Sequence, residues 1–168
     1  MNLITGCLIT GLLLVATPAI AQNAGGTAGY DAYQDANLEI YLQKIKADKK
    51  LLVATNMDLT DAEAKSFWPL YDAYQQELAQ VNLRLGKTIK AYAEAYNAGK
   101  GMIPNDTAQQ LLNEALSVDE TEVQLKRTYA EKMSKVLSAT KTARYIQIEN
   151  KIRSILKAEL AHQIPLVY

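Results

Sequence analysis

The sequence predicts an all-α fold of four helices, in which a long central helical hairpin is flanked by two shorter helices. Two observations indicate this class. From Phe67 to Tyr96 the apolar residues recur at steps of four and three, the spacing of one face of a long helix, with one polar interruption at Thr88 beside Ile89. No segment shows the sustained alternation of apolar and polar residues that is typical of a half-buried strand.

The second helix is the longest predicted element. It runs from Asp61 to the Gly-Lys-Gly stop at 99–101, and at about 1.5 Å per residue its length is roughly 55 Å. Thr60 and Glu63 form a capping box at its start, and Pro69 predicts a kink about two turns in. Because one face of this rod is apolar, it requires a partner of similar length, in the same chain or in a second copy.

Three other helices are predicted, over Asp35–Asn56, Thr107–Leu137 and Ala139–Ala161. Asn105 or Asp106 should cap the third helix and Ser138 the fourth, because their side chains accept bonds from free helix amides. The apolar segment 164–167 cannot continue the fourth helix through Pro165, so we expect it to pack back on the bundle.

The third helix carries two adjoining apolar stripes, which predicts contact with two neighbours at once. The first stripe consists of Leu111, Ala115, Val118, Leu125, Tyr129 and Val136, and the second of Leu112, Leu116, Val123, Met133 and Leu137. Glu122 and Lys132 interrupt the first stripe, so we expect part of it to lie near solvent. The lysines at 44, 46, 49 and 50 in the first helix are interpreted as a solvated face, with a docking patch for an anionic partner as the alternative.

Residues 1–21 are predicted to be a signal peptide, residues 22–35 a disordered leader, and residues 36–168 a single all-α domain. The apolar run Leu3–Val15 is followed by Ala19-Ile20-Ala21, so cleavage is expected after Ala21. The only cysteine, Cys7, leaves with the signal peptide, and the exported chain must be stabilised by packing alone. The expected location is the periplasm of a Gram-negative-type bacterium.

The charge balance limits the classes of partner. The chain has 18 basic and 18 acidic residues, so it offers no general electrostatic attraction to nucleic acid or to an anionic membrane. After signal cleavage we expect no membrane association.

Two predicted helix starts share a pattern of leucine, hydroxyl cap, two variable residues and a long polar residue. Its members are Leu59, Thr60 and Glu63 in the first copy, and Leu137, Ser138 and Lys141 in the second. The pattern resembles the paired LTxxQ motifs of the Spy/CpxP family of periplasmic stress proteins, with Glu63 and Lys141 where the family has Gln. The resemblance implies an antiparallel dimer of bent hairpins that acts as an ATP-independent chaperone for unfolding envelope proteins.

Ten tyrosines make the sequence rich in side chains that are apolar with a polar tip. Most lie on the same helical faces as other large apolar residues. Two interpretations stay open: packing in a core or dimer seam, or an adaptable surface for non-native chains. The candidate client or dimer surface consists of Phe67, Trp68, Tyr71, Tyr74, Leu78, Tyr92, Tyr96 and Tyr129.

We predict no enzymatic activity, no cofactor and no metal site. The sequence has no glycine-rich phosphate loop, and its only histidine, His162, has no recognisable nucleophile partner. Glu159 and His162 have the spacing of a di-iron bundle motif, but such a site requires two of these pairs. The alternative function is an envelope-stress sensor or adaptor that binds one signalling partner or a metal ion. A b-type haem carrier is a third hypothesis.

Overall fold

The structure, a computed structural model, describes residues 46–167 of the chain. Within this range there are four helices and no strand, which confirms the predicted all-α class. The helices are α1 (46–57 in the described part), α2 (Asp61–Ala98), α3 (Asn105–Met133) and α4 (Ala139–Gln163). The predicted signal peptide, the leader and the predicted first helix up to residue 45 lie outside the described residues.

The start and the end of α2 agree with the prediction. The Glu63 amide donates to Thr60 Oγ1 at 3.3 Å and the Thr60 amide donates to Glu63 Oε2 at 2.9 Å, so the capping box is formed. The helix continues through Pro69 and ends at Gly99, where any β-carbon would collide with the carbonyl of Met102. The kink at Pro69 stays a prediction.

The bounds of α3 correct the sequence prediction. Pro104 occupies the N-cap position, and Asn105 already belongs to the helix, so neither Asn105 nor Asp106 is the cap. Pro is well suited to a helix start because its φ angle is already helical and it has no amide hydrogen to satisfy. The helix ends at Met133 rather than Leu137, because the chain leaves it through a turn in which the Leu137 amide still bonds to the Met133 carbonyl.

Helices α2 and α3 run antiparallel. Near the middle of α2, the ring of Tyr74 packs edge-on against Tyr129, with their centroids 5.3 Å apart. About three turns later in α2 and about four turns earlier in α3, Arg84 pairs with Glu114 at 2.8 Å. Residues later in α2 therefore contact residues earlier in α3.

Helix α4 lies along both of them, parallel to α2. Lys141 contacts the first turn of α2, and Arg153 reaches Asn82 near the middle of α2. Lys49 of α1 pairs with Glu149, which lies in the first half of α4, so α1 packs beside that half of the helix. Long side chains rather than close backbone approach connect α4 to α2.

The core fills the end of the bundle where α2 and α4 begin. It contains Val53, Met57, Phe67, Tyr71, Tyr74, Leu78, Val81, Val118, Leu125, Tyr129, Met133, Leu137 and Tyr145. The apolar face of α2 is thus buried by the same chain as far as Val81, whereas Leu85, Tyr92 and Tyr96 further along are only half-buried. Most of the apolar face of α2 is therefore covered by other helices of the same chain.

Candidate apolar binding site

Most of the side chains predicted to form a client or dimer surface belong to the core. Phe67, Tyr71, Tyr74, Leu78 and Tyr129 are each at most 5% exposed. Their placement on an exposed surface is therefore corrected, and the core interpretation applies to these five. The physical reason is that α3 and α4 of the same chain cover the apolar face of α2, which is one of the two partners that the sequence left open.

Tyr145 of α4 organises these aromatic rings. Its centroid lies 5.2 Å from that of Phe67, 6.0 Å from that of Tyr71 and 6.1 Å from that of Tyr74, all with edge-on geometry. Edge-to-face contacts place the positive edge of one ring on the negative face of another. Burial raises the pKa of the Tyr145 hydroxyl, which donates to Glu149 at 3.1 Å. The cluster is neutral and serves as packing.

Three of the eight candidate residues keep accessible area. Trp68, Tyr92 and Tyr96 are half-buried. The Lys50 ammonium lies 5.2 Å from the Trp68 ring centroid, a cation–π contact, and the rings of Tyr92 and Tyr96 stack 5.9 Å apart. Of these, Tyr92 also lines an apolar cleft at the other end of the bundle.

The six motif residues have structural roles at helix starts. Ser138 accepts from the Lys141 amide at 3.2 Å, which confirms it as the cap of α4. Leu59 packs against the core and Leu137 is inside it. The Lys141 ammonium donates to Glu63 Oε2 at 2.6 Å, so the two copies of the motif meet in space.

A buried ion pair joins α3 to α4 in the middle of the bundle. The expectation that part of the first stripe lies near solvent holds at Lys132, which is exposed, but not at Glu122, which is 2% exposed. Arg153 compensates for this burial by donating to Glu122 Oε2 from Nε at 2.9 Å and from Nη2 at 2.7 Å, and Lys126 adds a contact at 3.1 Å. Desolvation raises the pKa of Glu122, but the bonds from Arg153 and Lys126 outweigh it and lower the pKa to about 2. Glu122 is ionised at neutral pH.

A second polar group connects α1 to the bundle. Glu149, 3% exposed, accepts from Lys49 at 2.8 Å and from Gln75 at 2.8 Å, and Tyr145 donates to the same carboxylate. Lys49 therefore does not belong to the solvated face that the sequence suggested. Charged groups that are buried and fully paired favour a single register of packed helices. We interpret the contacts of Glu122 and those of Glu149 as polar interactions that fix the position of α4.

At the opposite end of the bundle the helices leave an apolar cleft of about 470 Å³. This volume falls within the range of small-ligand sites. The cleft lies between the later half of α2, the first half of α3 and the last turns of α4. Its large apolar lining residues are Leu85, Ile89, Tyr92, Ile103, Leu111, Leu112, Leu160, Ile164 and Val167.

Small side chains explain why the cleft exists. Ala108 and Ala115 of α3 and Ala161 of α4 line it where larger residues would fill the space between the helices. The charged groups that line it, Asp119 and Lys157, neutralise one another at 2.8 Å. The cleft therefore presents aliphatic surface with little net charge.

An exposed apolar stripe on α3 continues from the cleft. Leu112 lines the cleft and is 52% exposed, and Leu116 and Val123 are each 53% exposed. Their steps of four and seven residues place them on one helical face. These three residues of the second stripe of α3 stay half-exposed within residues 46–167, whereas Met133 and Leu137 of that stripe are buried as expected. We call the cleft together with Leu112, Leu116 and Val123 the apolar surface.

Sequence reasoning did not identify the cleft as a site, yet two signals pointed to it. The expectation that segment 164–167 packs back on the bundle is confirmed, because Ile164 and Val167 line the cleft. The double stripe on α3 was also visible, but periodicity does not tell which stripe is covered. That choice depends on where α4 lies.

Glu159 and His162, the spaced pair noted in the sequence, do not line the cleft. His162 is exposed, and Glu159 accepts a bond from Gln163 at 2.7 Å. Within residues 46–167, no three side chains of the types that bind metals come together. Among the described helices, none has a stretch long and apolar enough to span a bilayer.

The fold and the site together define an all-α bundle with an apolar cleft at one end. Comparisons with family models, with curated proteins and with solved structures each found no match. The resemblance to the Spy/CpxP family therefore stays a prediction that depends on the sequence motifs.

Proposed function

We propose that this chain is an exported, non-enzymatic chaperone of the Spy/CpxP type, which holds apolar segments of unfolding envelope proteins without a nucleotide. The binding site of this proposal is the apolar surface at the far end of the bundle. It replaces the face of α2 that the sequence suggested. The expected periplasmic location depends on residues 1–21, which lie outside the described residues.

The observation that carries the proposal is the continuity of the apolar surface. Leucine and valine side chains that are half-exposed on α3 lead into a cleft with aliphatic walls. Contiguous exposed apolar area on a folded chain marks a binding surface, because leaving it in water is unfavourable. Each aliphatic side chain that a client covers contributes through burial at about 25 cal/mol per Å².

The charge distribution supports a client that is apolar rather than charged. Asp119 and Lys157 are the charged groups at the cleft, and they are paired with each other. The whole chain has equal numbers of basic and acidic residues. Attraction by apolar contact is weakly affected by salt, so we expect client holding to persist at an ionic strength of about 0.5 M.

The antiparallel homodimer implied by the resemblance also belongs to this proposal. Its seam lies outside the buried face of α2, because Phe67 to Val81 are covered within one chain. Sedimentation equilibrium of the exported chain, with and without an unfolded client, gives the mass of the free and loaded forms. A strictly monomeric mass in both would contradict the dimer and leave the binding site unaffected.

The test is suppression of aggregation of a chemically denatured model protein. The wild-type chain should suppress aggregation at near-stoichiometric ratio, and the double variant Leu112→Ser/Leu116→Ser should lose most of this effect. Leu51→Ser is the matched control, because Leu51 is 66% exposed on α1, outside the apolar surface. No suppression by the wild type across pH and salt would overturn the proposal, and equal loss in the control would overturn the assignment of the site.

A specific observation favours one alternative, an adaptor for a single partner. Leu112, Leu116 and Val123 have the spacing of a seam for one helix, and Arg127 lies four residues beyond Val123 on the same face. A partner helix with complementary charges would dock there. A pull-down that returns one dominant partner, from a chain that fails to suppress aggregation, would favour the adaptor.

A further inference from the structure

The segment that follows α4, residues 164–167, lies against the cleft, and we call it the strap. Helix α4 ends because Ile164 adopts extended backbone angles, φ −90° and ψ 116°, and Pro165 cannot donate a helical hydrogen bond. The Ile164 amide still bonds to the carbonyl of Leu160 at 3.1 Å. The strap is thus a short non-helical peptide attached to the end of a helix.

Two kinds of contact hold the strap. The Tyr92 hydroxyl donates to the carbonyl oxygen of Pro165 at 2.7 Å, across 73 positions of sequence. The side chains of Ile164 and Val167 line the cleft, whereas Leu166 is 75% exposed and does not line it. The strap therefore uses one backbone carbonyl and two aliphatic side chains.

These are the groups that an unfolded client also offers. Every peptide has backbone carbonyls, and an aliphatic wall accepts leucine, isoleucine or valine with little selectivity. A tyrosine hydroxyl at the edge of an apolar wall binds a carbonyl whatever the neighbouring side chains are. The site is suited to a short non-helical peptide with apolar residues at the first and fourth positions and a free carbonyl at the second.

We propose that the strap occupies the place of an apolar client segment and acts as a built-in competitor for it. The proposal rests on the proposed function of the apolar surface. Val167 is 48% exposed and Ile164 is half-buried, so the seated strap gains little from burial. A neutral hydrogen bond adds a small net contribution. Such a contact is weak enough for a client to displace.

The expected size of the effect follows from the fraction of chains in which the strap is released from the cleft. A ligand that binds only when the strap is released sees its apparent Kd raised by the inverse of the released fraction. If the strap is seated in about nine chains of ten, releasing it strengthens client binding about tenfold.

The experiment uses the whole exported chain and a fluorescein-labelled peptide Gln-Ile-Pro-Leu-Val, whose binding is followed by anisotropy. The variant Ile164→Ser/Val167→Ser should bind the peptide about tenfold more tightly than wild type. Leu166→Ser, which changes the strap outside the cleft, is the control and should bind as wild type does. Unchanged or weaker binding by the double variant would show that the strap is a permanent part of the cleft lining. That result would overturn the proposal.

A second variant tests the carbonyl contact. Tyr92→Phe, added to the double variant, should weaken peptide binding several-fold, because the carbonyl of the bound peptide then has no donor. Equal binding with and without the hydroxyl would overturn the assigned pose. An increase in mass of the double variant without peptide binding would show that a second copy of the chain occupies the cleft. That result would overturn the proposal that the strap competes with a client.

Failure of the strap proposal can be told apart from failure of the proposed function. If the wild type suppresses aggregation but the double variant does not bind the peptide more tightly, only the strap proposal is overturned. If the peptide behaves as expected but no variant suppresses aggregation, the cleft is a peptide site and the chaperone function is wrong.

Discussion

The Lys141 ammonium donates to the Glu63 carboxylate at 2.6 Å and joins two helix starts that are 78 positions apart in sequence. The same ammonium also donates to the carbonyl of Asp58 at 2.7 Å. Glu63 and Lys141 are the last residues of the two copies of the motif, each three positions after its cap, Thr60 or Ser138. Their opposite charges are explained by this contact, which ties the first turn of α2 to the first turn of α4.

The Glu63–Lys141 pair predicts a loss of stability in acid. The bond from Lys141, followed by that from the Thr60 amide, lowers the pKa of Glu63 from 4.5 to about 2. A group whose pKa is lower in the folded state stabilises the fold above its unfolded value, and this stabilisation disappears as pH falls from about 4.5 to about 2. Glu63→Gln should therefore lower the Tm at pH 7 and behave as wild type near pH 2.

Thermal unfolding followed by circular dichroism across pH checks this prediction. Gln is accepted in a capping box, so the substitution removes mainly the charge. Glu131→Gln is the control, because Glu131 is exposed on α3 and has no ion pair among the described residues. A Tm difference for Glu63→Gln that is the same at every pH would contradict the role of the carboxylate charge.

Arg153→Met should destabilise the chain by about 3 kcal/mol, because it removes the main partner of a buried carboxylate. The double variant Glu122→Leu/Arg153→Met should regain most of that loss, since apolar residues of similar size replace both charges. Lys90→Met is the control: its pair with Glu94 is exposed on both sides and away from Glu122, so we expect little change in stability. Urea unfolding measures all three. A double variant no more stable than Arg153→Met would show that the pair itself contributes net stability.

Phe67→Ala should cost about 3–5 kcal/mol in the free energy of unfolding, the range for deleting a fully buried aromatic ring. Phe67 is 0% exposed and contacts Trp68, Tyr71 and Tyr145. Leu116→Ala is the comparison, because Leu116 is 53% exposed and should cost below about 1 kcal/mol. Similar losses in the two variants would contradict the division between core and apolar surface.

Thr142→Val should stabilise the chain by about 1 kcal/mol. Thr142 is 7% exposed and its hydroxyl has no hydrogen-bond partner among the described residues, so the fold leaves a buried polar atom unsatisfied. Valine has the same shape without the hydroxyl. Thr142→Ser, which keeps the hydroxyl and deletes the methyl group, should destabilise instead. Calorimetry distinguishes the two, and a valine variant less stable than wild type would mean that the hydroxyl is satisfied in solution.

Local chemistry made several features predictable. The capping box at Thr60, the cap at Ser138, the extent of α2 and the return of segment 164–167 depend on residues close in sequence or on the special backbone of proline and glycine. Errors arose at the ends of α3, where Pro104 took the cap position from Asn105 or Asp106. A helix boundary is a competition between neighbouring residues of similar preference, and sequence alone decides it poorly.

The sequence by itself determined the four helices, the two caps and the presence of more apolar stripe than a single pair of helices covers. The tertiary structure alone decided which stripe is core and which is surface. Phe67 and Leu116 both lie on apolar faces at helical spacing, yet the first is buried and the second is not. The difference arises because α4 lies against the seam of α2, where Tyr145 fills the space between the helices and Arg153 pairs with the carboxylate of Glu122. Periodicity describes one helix at a time, whereas burial depends on where the other helices are.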